Sequence, residues 1–95
     1  MNSDTCRRLV IEGIVQGVGF RYAFQAQAVR LGLSGWVRNR ADGRRVEAVV
    51  AGDEPTVQAL LIACRRGPLL ARVERIEESF AEMPEEEGFR QRPTA

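Results

Sequence analysis

The sequence predicts an α+β domain in which an antiparallel sheet carries two helices on one face, in the chain order β-α-β-β-α-β. Three observations predict it. Apolar residues alternate in the first segment, recur at steps of three and four in two later ones, and an Asp-Gly turn joins two others. With 95 residues the chain is long enough for one modest core and too short for two. Residues 1–95 are therefore expected to form a single domain, ordered over about 7–92.

RRLVIEGI, residues 7–14, is rich in β-branched residues, with Leu9 and Ile11 on one face and Val10 and Glu12 on the other. VQGVGF interrupts this strand. From Tyr22 to about Leu31 the pattern is helical: Phe20, Phe24, Ala28 and Leu31 form the stripe, and Gly32 stands where the helix should stop. SGWVRN, residues 34–39, is the next strand, in which Trp36 and Val37 face opposite ways, so one belongs to the core. Asp42-Gly43 turns it into VEAVVA. Asp53 suits an N-cap and Pro55 the first turn of a second helix, with Val57, Leu60, Leu61 and Cys64 as its stripe and Gly67-Pro68 at its end. ARVERIEESFAEM is a further strand, whose Val73, Ile76 and Phe80 break strict alternation as a bulge would. PEEEG turns into a short last strand, GFRQR. This order is the split βαβ, ferredoxin-like sandwich. In it the first and third strands become neighbours, which draws Asn39 towards the VQGVGF loop.

Composition narrows the chemistry. All 14 positive side chains are arginine, and there is neither lysine nor histidine. That removes the usual acid/base at neutral pH, the commonest metal ligand, Schiff-base chemistry and the phosphate-loop lysine. The net charge of +1 is not that of a general nucleic-acid binder. Cys6 and Cys64 match no zinc or redox spacing; Cys64 belongs to an apolar stripe, and Cys6 is expected as a free thiol in a polar tail. MNSDTCRR is not a secretory signal, and no apolar run reaches the ~20 residues of a membrane span. A cytoplasmic protein with no membrane partner follows. Asp42, Asp53 and Glu54 suit turns and caps rather than a metal, Glu85-Glu86-Glu87 a solvated turn, and the arginine pairs at 7–8, 44–45 and 65–66 solubility.

Two stretches remain for chemistry. In VQGVGFR, Gly17 and Gly19 can turn successive N–H groups towards one anion beside a helix start, and Arg21 can fork onto its oxygens. A tight turn followed by a solvated arginine explains the same residues, and spacing alone leaves both readings open. In GWVRN, Asn39 is either a turn residue satisfied locally or a group brought to the loop by the fold.

Taken together, the two stretches resemble the acylphosphatase family. VQGVGFRY is similar to its phosphate-binding signature, and GWVRN followed by DG, a valine and a later glycine is similar to its second signature. The resemblance spans roughly residues 7–92 and implies hydrolysis of the carboxyl–phosphate bond of acyl phosphates by direct water attack. It also implies a phosphate-binding loop of Val15, Gln16, Gly17, Val18, Gly19 and Phe20 with Arg21, catalytic roles for Arg21 and Asn39, and no metal or cofactor. The expected partners are a small-molecule acyl phosphate and inorganic phosphate or sulfate as ligand, with no nucleic acid, and the chain is expected to be a monomer. One departure stands out: Arg44 and Arg45 both precede Val46 where the family has a single residue, which places an extra residue, or a bulge, in the hairpin. The rival readings are a module that holds phosphate without turnover, and an RNA-binding domain; the latter lacks an aromatic pair in its central strands. The family's domain also opens larger carbamoyl-transfer proteins of hydrogenase maturation, and a chain ending after the domain leads to the expectation of a stand-alone enzyme.

Overall fold

The computed structural model describes residues 4–95; residues 1–3, part of the MNSDTCRR stretch, lie outside the described residues. The elements are β1 (Asp4–Ile14), α1 (Phe20–Arg30), β2 (Ser34–Asn39), β3 (Arg45–Asp53), α2 (Glu54–Arg66), β4 (Arg72–Phe80) and β5 (Phe89–Gln91). The sheet order is β4-β1-β3-β2-β5, so β1 and β3 are neighbours as the split βαβ order requires.

One expectation needs correcting. The sheet is mixed, because β5 runs parallel to β2 while the other pairs are antiparallel. The cause is a crossover. Phe80 at the end of β4 lies opposite Arg7, at the end of the sheet where β2 begins. Residues 81–88 then pass over the face that carries no helix, with the N–H of Ala81 donating to the Cys6 carbonyl and that of Gly35 to the Gly88 carbonyl. The chain thus joins β2 at its start and must run alongside it. On its other side Gly35 lets β2 lie close against β3: a Cβ there would sit 1.8 Å from the Val49 carbonyl oxygen.

The helix-covered face holds the main core. Leu9, Ile11, Val37, Val46, Ala48 and Val50 from the sheet meet Phe20, Phe24 and Ala28 of α1 and Val57, Leu60, Leu61 and Cys64 of α2. The α2 stripe is the one expected from the sequence, and so is that of α1 except for Leu31, which caps the helix and is only partly buried. At about 1.5–3 kcal/mol for each large side chain, this layer outweighs any surface ion pair. A hydrogen-bonded stop closes α1: the N–H groups of Gly32 and Leu33 donate to the carbonyls of Val29 and Ala28. Asp53 is the N-cap residue of α2, although its side chain makes no capping bond.

The second face corrects the view of Cys6. It is buried in β1 beside Trp36, Val49 and Ala51, under the crossing segment, and its thiol donates to the Glu82 carbonyl. The guanidinium groups of Arg38 and Arg92 both lie over the Trp36 ring, their carbons 4.8 and 4.4 Å from its centroid. Two of the three arginine pairs are more than solubility residues: Arg7 binds Glu54, Arg8 binds Glu47, Arg44 binds Glu74 and Arg45 binds Asp42, whereas Arg65 and Arg66 are exposed. In the PEEEG turn, Glu86 is paired with Arg92 and largely covered.

Both irregularities foreseen in the sequence have definite places. Glu12 pairs with Arg75 but Gly13 with Val73, which leaves Glu74 as a bulge in β4. The β2–β3 register runs without a break from Ser34↔Ala51 to Asn39↔Val46, so the extra residue lies wholly in the turn. There Asp42 Oδ1 accepts from the N–H groups of Arg44 and Arg45 at 2.9 and 3.0 Å. Among the described residues no helix is long and apolar enough to cross a membrane.

Candidate active site

Between β1 and α1 the backbone is bent by Gly17 and Gly19, with φ of +71° and +78°. A residue with a side chain would be strained there by about 1–2 kcal/mol. Gly19 is also the N-cap of α1, and its side-chain-less cap leaves the first-turn donors without a partner. From Gly17 to Tyr22 no backbone N–H finds an acceptor among the described residues. A short run of unmatched donors at a helix start suits an anion with several oxygens.

A cleft of about 150 Å³ opens at this point, lined by Val15, Gly17, Gly19, Phe20, Arg21, Tyr22 and Gln91. The side chains of Val15 and Phe20 are buried in the core, so these two can offer an anion only their backbone. Val18 packs partly against the core. Arg21 is half-buried and makes none of the ion pairs among the described residues, in contrast to the eight arginines that do. Its charge is available to the cleft. Tyr22, 74% exposed, and Gln91 were not singled out by the sequence. Tyr22 could have been found from its place in the first helical turn. Gln91 could not, because only the parallel pairing of β5 brings it here; Gln25 of α1 accepts its amide proton and in turn binds the Phe89 carbonyl.

Asn39 does not line the cleft itself. It ends β2 opposite Val46, on the helix-covered face with Val37, and its Oδ1 is buried with no donor among the described residues. A buried amide oxygen left unpaired costs about 1–3 kcal/mol, so it is a ready acceptor for an O–H group. Gln16 joins the two parts: its Nε2 donates to the carbonyls of Arg40 at 2.8 Å and Arg45 at 2.9 Å. Its side chain is therefore turned to the hairpin and not to the cleft.

Behind Asn39, on the opposite face, Arg38 and Arg40 both reach Glu47, which also binds Arg8. The Glu47 side chain is only 5% exposed. Burial alone would raise its carboxyl, but bonds from Arg38, Arg8 and Arg40 together hold it below the usual carboxylate range. Its stabilising effect is thus full above the unfolded value near 4.3 and is lost as pH falls through the lowered folded value. Glu47→Gln should cost about 2 kcal/mol at pH 7 and flatten the acid side of the stability curve, as urea midpoints between pH 3 and pH 7 would reveal; unchanged midpoints would show the cluster to be inert.

Other routes to catalysis are poorly supplied. Burial pushes the Cys64 thiol up to about 12 and raises that of Cys6, so neither is a ready thiolate. Among the described residues no group of three His, Cys, Asp or Glu side chains converges on a point. What remains is positioning and fixed charge.

Fold and site together define an α+β sandwich with an anion cradle at its first strand-to-helix junction. The Acylphosphatase family profile matches residues 7–91. An acylphosphatase of Acidiphilium cryptum is 59% identical over 88 residues, 93% of this chain and 96% of that one. Among solved structures, an acylphosphatase from Coxiella burnetii superposes with a TM-score of 0.86 at 32% identity, covering 96% of this chain and 94% of its own. That from Bacillus subtilis does so with a TM-score of 0.84 at 37% identity, covering 90% and 96%. The chain belongs to the acylphosphatase family, whose known function is the hydrolysis of acyl phosphates.

Proposed function

We propose that this chain hydrolyses acyl phosphates by direct attack of water at phosphorus, and that the cradle, Arg21 and Asn39 carry the reaction. The observation that supports it best is the run of unmatched N–H groups beside an arginine free of any ion pair among the described residues. The phosphoryl oxygens take the N–H groups of Gly17 to Phe20 and the fork of Arg21. Water's oxygen bonds to phosphorus as the bond from phosphorus to the acyl oxygen breaks. The leaving carboxylate has a conjugate acid of pKa ~4, so it departs without a general acid. Asn39 accepts one O–H of the water and points its lone pair at phosphorus; having no proton to trade, it leaves the water's proton to a phosphoryl oxygen. Stabilisation of charge and alignment then supply most of the acceleration.

On this reading residues 1–95 act as one domain, a cytoplasmic monomer that needs neither metal nor cofactor and takes inorganic phosphate or sulfate as a competing ligand. Benzoyl phosphate should be hydrolysed by protein treated with EDTA, and in ¹⁸O-water the label should enter phosphate. Label found in benzoate would mean attack at the carbonyl carbon. Saturable phosphate binding without turnover would leave a binding module in place of an enzyme.

A further inference from the structure

Gln16 lies within the cradle sequence, yet its side chain serves the hairpin. Both hydrogens of its amide are spent on main-chain carbonyls, that of Arg40 at 2.8 Å and that of Arg45 at 2.9 Å. These two residues face each other across the base of the turn, where the N–H of Arg40 donates to the Arg45 carbonyl at 2.9 Å. Arg40 directly follows Asn39. We infer that Gln16 is a positioning residue: it buckles the anion loop to both strands of the hairpin and so sets the distance between the bound phosphoryl group and the Asn39 amide. The inference rests on the reading of Arg21 and Asn39 given above.

The geometry favours a kinetic role over a merely structural one. The Arg45 carbonyl keeps its bond from Arg40 when the glutamine is lost, and the Arg40 carbonyl retains a longer contact of 3.4 Å from the N–H of Gly43. The bond to Arg45 is exposed to solvent, so water can replace it. Asn39 is meanwhile held from the other face, because its neighbours Arg38 and Arg40 are both anchored on Glu47. The hairpin therefore keeps its shape without Gln16, while the loop loses its register to it.

Gln16→Met removes both donors at nearly constant size. A displacement of about 1 Å between water and phosphorus can cost up to ~10²-fold in rate, so kcat on benzoyl phosphate should fall between about ten- and a hundred-fold. The inhibition constant of inorganic phosphate should stay within about two-fold, since the backbone donors and Arg21 are untouched. On an Asn39→Ala background Gln16→Met should lower kcat no further, because a residue that acts through Asn39 has nothing left to place. An unchanged kcat, a parallel loss of phosphate affinity, or additive effects in the double variant would each overturn the inference. The side-chain amide signal of Asn39 in ¹⁵N-edited spectra of the phosphate-bound protein gives a reading independent of turnover. It should shift or broaden in Gln16→Met, and an unmoved signal counts against the clamp. Failure of Asn39→Ala itself to slow the reaction would instead strike the reading on which the inference rests.

Discussion

Replacing Arg21 by alanine is expected to lower kcat/KM on benzoyl phosphate by about 10³- to 10⁵-fold, the range in which an arginine that neutralises a transferring phosphoryl group operates. Affinity for inorganic phosphate should fall with it, because the same charge is needed before and during reaction. The melting temperature should hardly move: the arginine makes no ion pair among the described residues, and its helix position is half-exposed. Arg21→Lys should recover only part of the loss, since an ammonium brings charge without the planar fork that meets two phosphoryl oxygens. Steady-state kinetics with phosphate as inhibitor, beside thermal unfolding, measure all three quantities. A kcat/KM for Arg21→Ala within ten-fold of wild type would remove the arginine from the mechanism.

Asn39→Ala should divide the two parameters differently. Its kcat is expected to drop by about 10²- to 10³-fold, in line with the loss of one preorganised polar partner, while the inhibition constant of phosphate changes little. Stability should hold or rise by up to about 1 kcal/mol, because the variant deletes a buried oxygen that has no donor among the described residues. A group kept at a cost to stability and gaining in value only when substrate arrives is the signature of a site residue. A loss of stability of several kcal/mol, with kcat intact in the folded fraction, would make Asn39 a turn residue and nothing more.

Much of this was legible in the residues. The stripe of Val57, Leu60, Leu61 and Cys64 is written in helical spacing, and those four side chains are the buried ones of α2. The loop was legible for a different reason. Glycine at 17 and 19 records a backbone that turns left-handed, and that requirement is local. Asp42-Gly43 likewise placed the turn, and with it the extra residue that leaves the β2–β3 register unbroken. The irregular spacing of Val73, Ile76 and Phe80 foretold the bulge at Glu74.

Other features depend on partners far away in the chain. The acceptors of Gln16 lie 24 and 29 residues on, and they are main-chain carbonyls that any residue could have supplied. Cys6 looked like part of a polar tail because the segment that buries it, near Ala81 and Glu82, arrives only after the crossover. The parallel β5, which carries Gln91 into the cleft, follows from the same crossing. Glu47 reads as an ordinary strand residue until the register sets Arg8 and Arg38 on either side of it.

Which backbone can bend, which faces are apolar and which charges exist could be read from the residues alone, since these are properties of residues and of their near neighbours. The folded arrangement was needed to show which arginines stay free of ion pairs among the described residues, Arg21 among them, which amide oxygen finds no donor there, and what ties the loop to the hairpin. Those are matters of competition among distant groups for the same few partners, and they are settled only when the sheet has closed its register.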